Sequence, residues 1–296
     1  MSANPDALQL HKQAATLAVN DPAAPKPSMI AMVESIMRSY GVVNSQQKQF
    51  NALIYGPPAS GKTAILRTCR KPVLVDMFDP FGHKTQLLAD DIAKGNILVR
   101  YYGHDRWHHP TMFSKWMAEY EQAKQQDLFR HLGTYCLDSL TSFTRYMAYH
   151  IAAKNGKSKS DGTLSLADYK LQLYQIMDLI TDMMNLPCDV IVTAHIQLEI
   201  DNFANETHTY VALPPSQRTE VPTAFMEKWI TRVINGKHVL QVKPDGKYMA
   251  ETRIGSTAFN TIEEQDVKKL LAKVGLNTED LPSLVSSASS ASSVKI

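Results

Sequence analysis

The stretch YGPPASGKTA, residues 55–64, places glycines, a lysine and a threonine at a spacing that suits phosphate chemistry. Gly56 is followed by four residues and then by Gly61, Lys62 and Thr63. Backbone N–H groups of such a loop can surround phosphate oxygens, the ammonium can neutralise the β- and γ-phosphates, and the hydroxyl can reach Mg²⁺. The sequence therefore predicts a nucleotide site. Its predicted binding residues are Gly56, Pro57, Pro58, Ala59, Ser60, Gly61, Lys62, Thr63 and Ala64.

An acid for the metal is expected at the end of a neighbouring apolar strand. The run TYCLDSLT supplies Asp138. An apolar run that ends in aspartate can also be a simple strand exit or a helix cap. Together with the upstream loop, the pattern favours a metal site formed by Thr63 and Asp138, with Lys62 and Asp138 as catalytic residues.

Three further polar residues end predicted strands and are candidate catalytic residues. His195 follows VIVTA, and a polar side chain at the carboxyl end of a parallel strand faces the ligand crevice. It would sense the γ-phosphate or merely cap the strand. Asp76 and Asp79, in VDMFDPFG, would each orient an attacking water or bind a backbone turn. The pattern favours neither aspartate over the other.

Composition limits the classes of protein that the chain can be. With 296 residues and 44% hydrophobic content it can form one large α/β domain or two small ones. Its 31 Lys+Arg against 29 Asp+Glu argue against a protein whose whole surface is basic enough to bind duplex DNA. No membrane-length apolar run and no secretory leader are evident, so we expect a cytoplasmic protein. The three cysteines have no metal-ligand spacing and are expected to be reduced core residues.

The order of apolar runs predicts the fold class. Five near-continuous apolar runs alternate with helical segments, which favours an α/β fold with a mostly parallel central sheet covered by helices. The runs are FNALIYG (50–56), PVLVDMF (72–78), NILVRYY (96–102), TYCLDSL (134–140) and DVIVTAHI (189–196). Ser165 and Asp168 form a capping pair for a long helix. Asn235-Gly236 and Pro244-Asp245-Gly246 predict turns of a C-terminal, three-stranded antiparallel meander.

The chain divides into three predicted regions. Residues 1–27 are expected to be a flexible arm, and 282–296 a disordered serine-rich tail. Residues 28–281 are expected to form the domain, with a core over 48–255 and a last helix over 262–274 that Thr261 and Glu264 would cap. Ser28 would cap a first helix that ends at Gly41. The aromatic, histidine-rich stretch YYGHDRWHHP (101–110) is interpreted as a solvated turn and receives no role.

The order of these motifs resembles the RecA-like P-loop ATPase core, and most closely the phage-encoded AAA/RecA-type proteins of single-strand annealing and recombination. The resemblance covers about residues 48–255. It implies ATP and Mg²⁺ as ligands, head-to-tail homo-oligomers, and His195 at the position of a γ-phosphate-reading glutamine. Where that family has a catalytic glutamate, this chain offers Asp76, Phe78 and Asp79. The family's large regulatory domain has no counterpart, which implies help from a single-strand-binding or loader protein.

The resemblance also implies that two segments contact single-stranded DNA. The first, residues 152–165, offers Lys154, Lys157 and Lys159 to phosphates. The second, 196–220, offers Phe203, Tyr210 and Arg218 for stacking or charge contact. Without the resemblance, both segments have the composition of ordinary surface loops. Arg253 and Lys247 are candidates for a cation that reaches a neighbour's nucleotide.

The function that these predictions favour is ATP-dependent binding of single-stranded DNA in phage recombination, annealing or replication, in the bacterial host cytoplasm if the chain is phage-encoded. Two alternatives stay open. One is a ring-forming helicase or packaging-type motor, which the same core serves. The other is a nucleotide-dependent regulator that does not bind DNA, which the near-neutral charge favours and the lysine-rich first segment opposes.

Overall fold

A computed structural model of the chain describes residues 49–82, 86–156, 164–201, 206–246 and 248–284. All of them belong to one compact unit that begins at Gln49. The predicted N-terminal arm, the helix expected after Ser28 and most of the expected tail lie outside the described residues, as do Lys157, Lys159, Phe203 and Lys247.

The described chain forms a nine-stranded sheet with the order β3-β2-β4-β5-β1-β7-β8-β9, and β6 pairs with β5. The strands are β1 (Asn51–Gly56), β2 (Val73–Met77), β3 (Ile97–Tyr101), β4 (Thr134–Asp138), β5 (Asp189–Asp201), β6 (Glu206–Val211), β7 (Glu227–Ile234), β8 (Lys237–Gln241) and β9 (Ile262–Glu264). The pairs among β3, β2, β4, β5, β1 and β7 are parallel. The predicted α/β class is confirmed: four of the predicted apolar runs contain β1, β2, β3 and β4, and the fifth, 189–196, is the first part of β5.

Helices cover both faces of the sheet. They are α1 (Ala89–Ala93), α2 (Met112–Gln125), α3 (Leu140–Lys154), α4 (Leu166–Met184), α5 (Pro215–Glu220) and α6 (Val267–Lys273), with 3₁₀ turns at Ala64–Thr68, Gln86–Leu88, Leu128–His131 and Val221–Ala224. One core, under α2, α3 and α4, contains Trp116, Phe143 and Ile176. The other contains Leu66 and Leu270, from the turn after β1 and from α6. The capping box of Ser165 and Asp168 is present at the start of α4.

The C-terminal region differs from the prediction in two ways. The last helix begins at Val267, capped by Asp266, and the segment Ile262–Glu264 is strand β9. The local capping pattern at Thr261 and Glu264 gives way because β9 pairs with β8, which supplies the backbone hydrogen bonds instead. The third strand of the meander is therefore β9. The described residues after the Pro244 turn, up to β9, contribute only an isolated bridge to the sheet, Lys228 to Glu251.

The segment 196–220, expected to be a loop, is largely regular. Strand β5 continues to Asp201 and pairs with the antiparallel β6, and α5 follows. The alternation of apolar and polar residues in IQLEID matches a strand with one exposed face. We name this β5–β6 unit the hairpin.

Other expectations concern the core and the chain end. Cys69, Cys136 and Cys188 are buried and free, as expected of core residues. Within the predicted tail, Leu284 packs against the core under α2–α4, so its first residues are part of the folded unit. None of the helices in the described ranges combines the length and the apolar character needed to span a bilayer.

Candidate nucleotide site

The predicted phosphate loop, residues 56–64, leaves β1 at the carboxyl edge of the sheet and enters the 3₁₀ turn Ala64–Thr68. A Cβ built on Gly56 would lie 2.2 Å from Thr231 Oγ1, so only glycine fits between β1 and β7. Gly61 has a φ of +98°, in the left-handed region that favours glycine. The two glycines of the motif therefore allow a tight, backbone-lined cradle, which is the shape that phosphate binding requires.

Lys62 lies folded into this cradle and is only 7% exposed. Its ammonium donates hydrogen bonds to the backbone oxygens of Gly56 at 2.9 Å and Pro57 at 2.8 Å. Burial lowers the pKa of Lys62, while the carboxylates of Asp138 and Asp79 act in the opposite direction. The cradle thus holds one cation in front of its backbone, with two carboxylates near enough to affect its charge.

Asp138 lies at the end of β4 beside the phosphate loop and is 3% exposed. Its Oδ2 accepts a hydrogen bond of 3.0 Å from the Thr63 hydroxyl, and its Oδ1 accepts one from the Thr193 hydroxyl on β5. Burial raises the pKa of Asp138, and the negative charge of Asp79 adds to this effect. A hydroxyl and a carboxylate are the oxygen donors that Mg²⁺ prefers, so the predicted pair of Thr63 and Asp138 fits a Mg²⁺ site.

Asp79 and His195 come together beside Asp138. His195 Nε2 lies 3.0 Å from Asp79 Oδ2, and the Ser139 and Ser142 hydroxyls donate to Asp79 Oδ1 at 2.5 and 2.7 Å. Burial works against the charge of Asp79, but these hydrogen bonds, that of His195 first, lower its pKa from 3.8 to about 2. Asp79 is therefore a permanent carboxylate at neutral pH.

Asp76 occupies a different environment from Asp79. Side chains alternate along β2, so that Val75 and Met77 face the core under the phosphate loop while Asp76 faces the core under α2–α4. The carboxylate is fully buried and accepts hydrogen bonds from Arg100, Trp116 and Tyr135. We therefore assign Asp76 a structural role, and of the two predicted aspartates only Asp79 is brought to the nucleotide site.

Several residues that support the site have no motif of their own in the sequence. Ser60 Oγ is hydrogen-bonded to Thr231 Oγ1 at 2.6 Å, which ties the loop to β7. Gln265 Nε2 donates to Ser60 O at 3.2 Å, from a position 205 residues further along the chain. Thr193 could have been noticed, because it stands two residues before His195 at a strand end and alternation places it on the loop's side.

The predicted DNA-contacting residues fall into two groups. Lys154 is the last residue of α3. Tyr210, on β6, and Arg218, on α5, are brought together: the guanidinium lies over the ring, 4.5 Å from its centroid, and also pairs with Glu199. Lys157, Lys159 and Phe203 lie outside the described residues. Arg253 is exposed and contacts Glu251 at 3.4 Å.

A groove of about 480 Å³ opens between α3, α4 and the hairpin, and we name it the α3–α4 groove. Its walls include Thr141, Arg145, Tyr149, Tyr169, Gln197 and Ala212. Both walls hold the backbone of His195: its N–H donates to Thr141 Oγ1 at 3.0 Å, and its carbonyl accepts from the Ala212 N–H at 2.8 Å. The groove is therefore adjacent to His195 of β5, the partner of Asp79.

Comparison with known proteins places the chain in a family. A family model described as "AAA domain" matches residues 48–254. Among solved structures, the chain is similar to a prototypical ATPase from the type III secretion system of pathogenic bacteria, with 13% identity and a TM-score of 0.42. That alignment covers 62% of this chain and 52% of that one, so the chain spans about half of the ATPase. No curated protein sequence matches the chain. Because the family model matches well over half of its length, from just before β1 to beyond β8, the chain belongs to the AAA-domain family and is a P-loop ATPase.

Proposed function

We propose that the protein is a Mg²⁺-dependent ATPase that couples hydrolysis to binding of single-stranded DNA, in recombination, annealing or replication. The observation that carries the proposal is the continuous set of contacts from the phosphate loop to the groove. Thr63, Asp138 and Thr193 form its first part, and Asp79 with His195 its second. Both walls of the α3–α4 groove form hydrogen bonds with the backbone of His195.

Each residue at the nucleotide end has a definable task. The backbone of the phosphate loop and the Lys62 ammonium bind the phosphates, and Thr63 with Asp138 would hold Mg²⁺. The metal supplies neutralisation of phosphate charge. Asp79 is the carboxylate that would accept a hydrogen bond from the attacking water and orient it, since it is ionised and partly exposed. His195, Ser139 and Ser142 fix the direction in which Asp79 points.

Three features of the α3–α4 groove support DNA as the coupled ligand. Its volume of about 480 Å³ accommodates a nucleotide unit. Arg145 is exposed and has no ion pair with another described residue, so its charge is available to a phosphate. Tyr149 and Tyr169 offer rings on which bases stack. The pair of Tyr210 on β6 and Arg218 on α5 adds a weaker contribution because Glu199 already neutralises the guanidinium.

The experiment that tests this function measures ATP hydrolysis by the full chain without DNA, with single-stranded DNA and with duplex. Single strands should stimulate hydrolysis more than duplex does. Arg145→Ala should raise the DNA concentration for half-maximal stimulation about 10-fold or more, the effect of one charged hydrogen bond. Arg130→Ala, at an exposed arginine paired with Asp127, is the matched control and should leave it unchanged.

Hydrolysis that is indifferent to every DNA would overturn the DNA part of the proposal and favour a nucleotide-dependent regulator. Strand displacement coupled to hydrolysis would favour the helicase or motor alternative. Assembly into a filament or ring, and the help of a loader or single-strand-binding protein, stay predictions of the family resemblance.

A further inference from the structure

The stretch 101–110, which received no role from its sequence, contributes exposed and half-buried rings to a surface that also includes Phe81, two residues after Asp79. Phe81 and His104 meet edge to face at 5.8 Å between ring centroids, and Tyr101 and His104 do so at 5.0 Å. The ring centroids of Trp107 and His108 lie 3.6 Å apart. We name the connected side chains of Phe81, Tyr101 and His104 the aromatic platform. It lies at the carboxyl ends of β2 and β3, at the same sheet edge as the phosphate loop.

Phe81 is the most unusual member of the platform. Its φ is +61°, a left-handed conformation that is costly for a bulky residue and that glycine usually supplies in turns. Its ring is nevertheless 60% exposed, so burial of the ring does not offset that cost. The Phe81 N–H donates to the Tyr101 hydroxyl at 2.9 Å, which holds the turn in place. Strained residues that stay exposed are concentrated at functional sites.

The backbone around the platform is shaped to present these rings. A Cβ on Gly103 would lie 2.4 Å from the Tyr101 hydroxyl, so glycine at this position lets the Tyr101 ring lie against the loop. Asp105, the only acid within residues 101–111, directs Oδ1 to the backbone N–H groups of Arg106 and Thr111. Its other oxygen, Oδ2, is buried. The acid therefore orders the loop from inside.

The charge that remains on the outside of this loop is cationic and belongs to Arg106. Arg106, His104, His108 and His109 are exposed, and Arg106 has no ion pair within the described residues. Exposed rings interleaved with cations are the combination that binds single-stranded nucleic acid, since bases stack on rings and phosphates pair with cations. A patch for a protein partner would instead be expected to form a continuous apolar surface.

We propose that the aromatic platform is a second contact for single-stranded DNA, in which bases stack on Phe81 and phosphates meet Arg106. The inference rests on the proposed function, because it concerns the same ligand. The turn that carries Phe81 begins at Asp79, whose carbonyl accepts from the Gly82 N–H at 3.1 Å. The platform is thus adjacent to Asp79, and the α3–α4 groove is adjacent to its partner His195.

The test compares two oligonucleotides with equal numbers of phosphates, one of thymidines and one of abasic sugars, by fluorescence anisotropy with the full chain, ATP and Mg²⁺. Phe81→Gly should weaken binding of the thymidine strand about 10-fold and leave the abasic strand unchanged, because only stacking is lost. Glycine suits the backbone at this position, so the urea midpoint should not fall. Tyr174→Ala, at an exposed ring on α4, is the control and should change neither affinity.

The outcomes separate this inference from the proposed function. Unchanged thymidine binding in Phe81→Gly, with wild-type affinity intact, would overturn the platform alone. An equal loss for both strands would also overturn it, because stacking would not be the interaction removed. A change of oligomeric state at unchanged DNA affinity would assign the surface to contact between copies. If the wild-type chain bound neither strand, the proposed function itself would fall.

Discussion

Asp138 is a carboxylate without a direct cationic partner among the residues that the structure describes. Its hydrogen bonds come from two hydroxyls, Thr63 and Thr193, and burial together with the charge of Asp79 raises its pKa. A raised pKa in the folded state means that the charged form is less favourable there than in the unfolded chain, so ionised Asp138 destabilises the fold at neutral pH. A bound divalent cation would reverse this penalty.

Asp138→Asn should therefore separate stability from activity. In EDTA its Tm should lie about 2–4 °C above that of the wild type, the shift expected from roughly 1 kcal/mol in a domain of this size. Mg²⁺ should raise the Tm of the wild type in the presence of nucleotide but not that of the variant, whose hydrolysis should be lost. Differential scanning fluorimetry and a phosphate-release assay measure the two effects. A lower Tm in EDTA, or retained Mg²⁺-dependent hydrolysis, would contradict the role of Asp138.

His195 is expected to act through Asp79. His195→Ala removes a hydrogen bond that fixes the direction of the Asp79 carboxylate, so kcat should fall about 10-fold or more while KM for ATP stays nearly constant. His195→Gln retains a donor and should recover most of the loss. A variant whose KM rises at constant kcat would instead place His195 in nucleotide binding.

The pKa of Asp79 also fixes a pH dependence. Its folded pKa of about 2 is below the ordinary 3.8, so its contribution to stability is complete above about pH 4 and is lost as the pH falls toward 2. The acid limb of the hydrolysis profile in the wild type should therefore not arise from Asp79 above about pH 4. In His195→Ala the pKa of Asp79 moves back toward its ordinary value, so the stability lost between about pH 4 and pH 2 should be smaller than in the wild type, as acid titration followed by circular dichroism would show. Identical acid transitions in both proteins would contradict the pairing.

At the scale of single elements, the pleat of β2 decides which aspartate can act on nucleotide. Asp76 points away from the phosphate loop, and Arg100, Trp116 and Tyr135 saturate its carboxylate. Asp79, beyond the end of the strand, is free of that alternation and turns toward His195. Whether an aspartate near a strand end can act on nucleotide therefore depends more on the face of the sheet to which its side chain points than on its position along the strand.

Asp76→Ala should destabilise the protein by about 3–5 kcal/mol, because it leaves the Arg100 guanidinium without its buried partner. Urea unfolding measures this loss. Adding Arg100→Met should restore part of it, since the unpaired charge is then gone. Hydrolysis per folded molecule should stay close to that of the wild type. Unchanged stability with lost hydrolysis would return Asp76 to the list of catalytic candidates.

The elements that sequence predicted well are those whose signal is local. The phosphate loop, the five parallel strands and the cap at Ser165 follow from motif spacing, apolar runs and hydrogen bonds within four residues. The hairpin and β9 depend on pairing with strands distant in sequence, and the local pattern at Thr261 predicted a helix instead. The contacts of Ser139, Ser142 and Gln265 also depend on residues distant in sequence. Such polar residues belong to no motif and become part of the site only through their position in the folded chain.

At the scale of the whole molecule, the C-terminal region contacts and supports the phosphate loop, which lies much earlier in the sequence. Gln265 donates to Ser60 O in the phosphate loop, and the Val267 N–H donates to the Thr68 hydroxyl at 3.0 Å in the 3₁₀ turn that follows the loop. The loop and this turn therefore both contact residues at the start of α6. Leu270 and Leu271 pack in the same core as Ile65 and Leu66. The nucleotide cradle is therefore completed by residues beyond the end of the family match.

Gln265→Ala should raise KM for ATP about 5-fold, the effect of one hydrogen bond of roughly 1 kcal/mol, and should change kcat less. The variant loses the hydrogen bond that fixes the Ser60 carbonyl of the phosphate loop. Before ATP binds, the loop is therefore less well ordered in the conformation that binds nucleotide. Steady-state kinetics measure the change. Glu264→Ala, at the exposed neighbouring residue, is the matched control. Equal KM values for Gln265→Ala and wild type would show that the C-terminal region does not order the cradle.

The measurement that tests the central claim most directly is phosphate release from ATP by the purified full chain, with Mg²⁺ or with EDTA, for wild type and Lys62→Ala. Lys94→Ala, at an exposed lysine on the surface, is the control. We predict Mg²⁺-dependent hydrolysis by wild type and Lys94→Ala and a loss of about 100-fold or more in Lys62→Ala and in EDTA. Hydrolysis that persists in Lys62→Ala, or that does not depend on Mg²⁺, would contradict the account of this site.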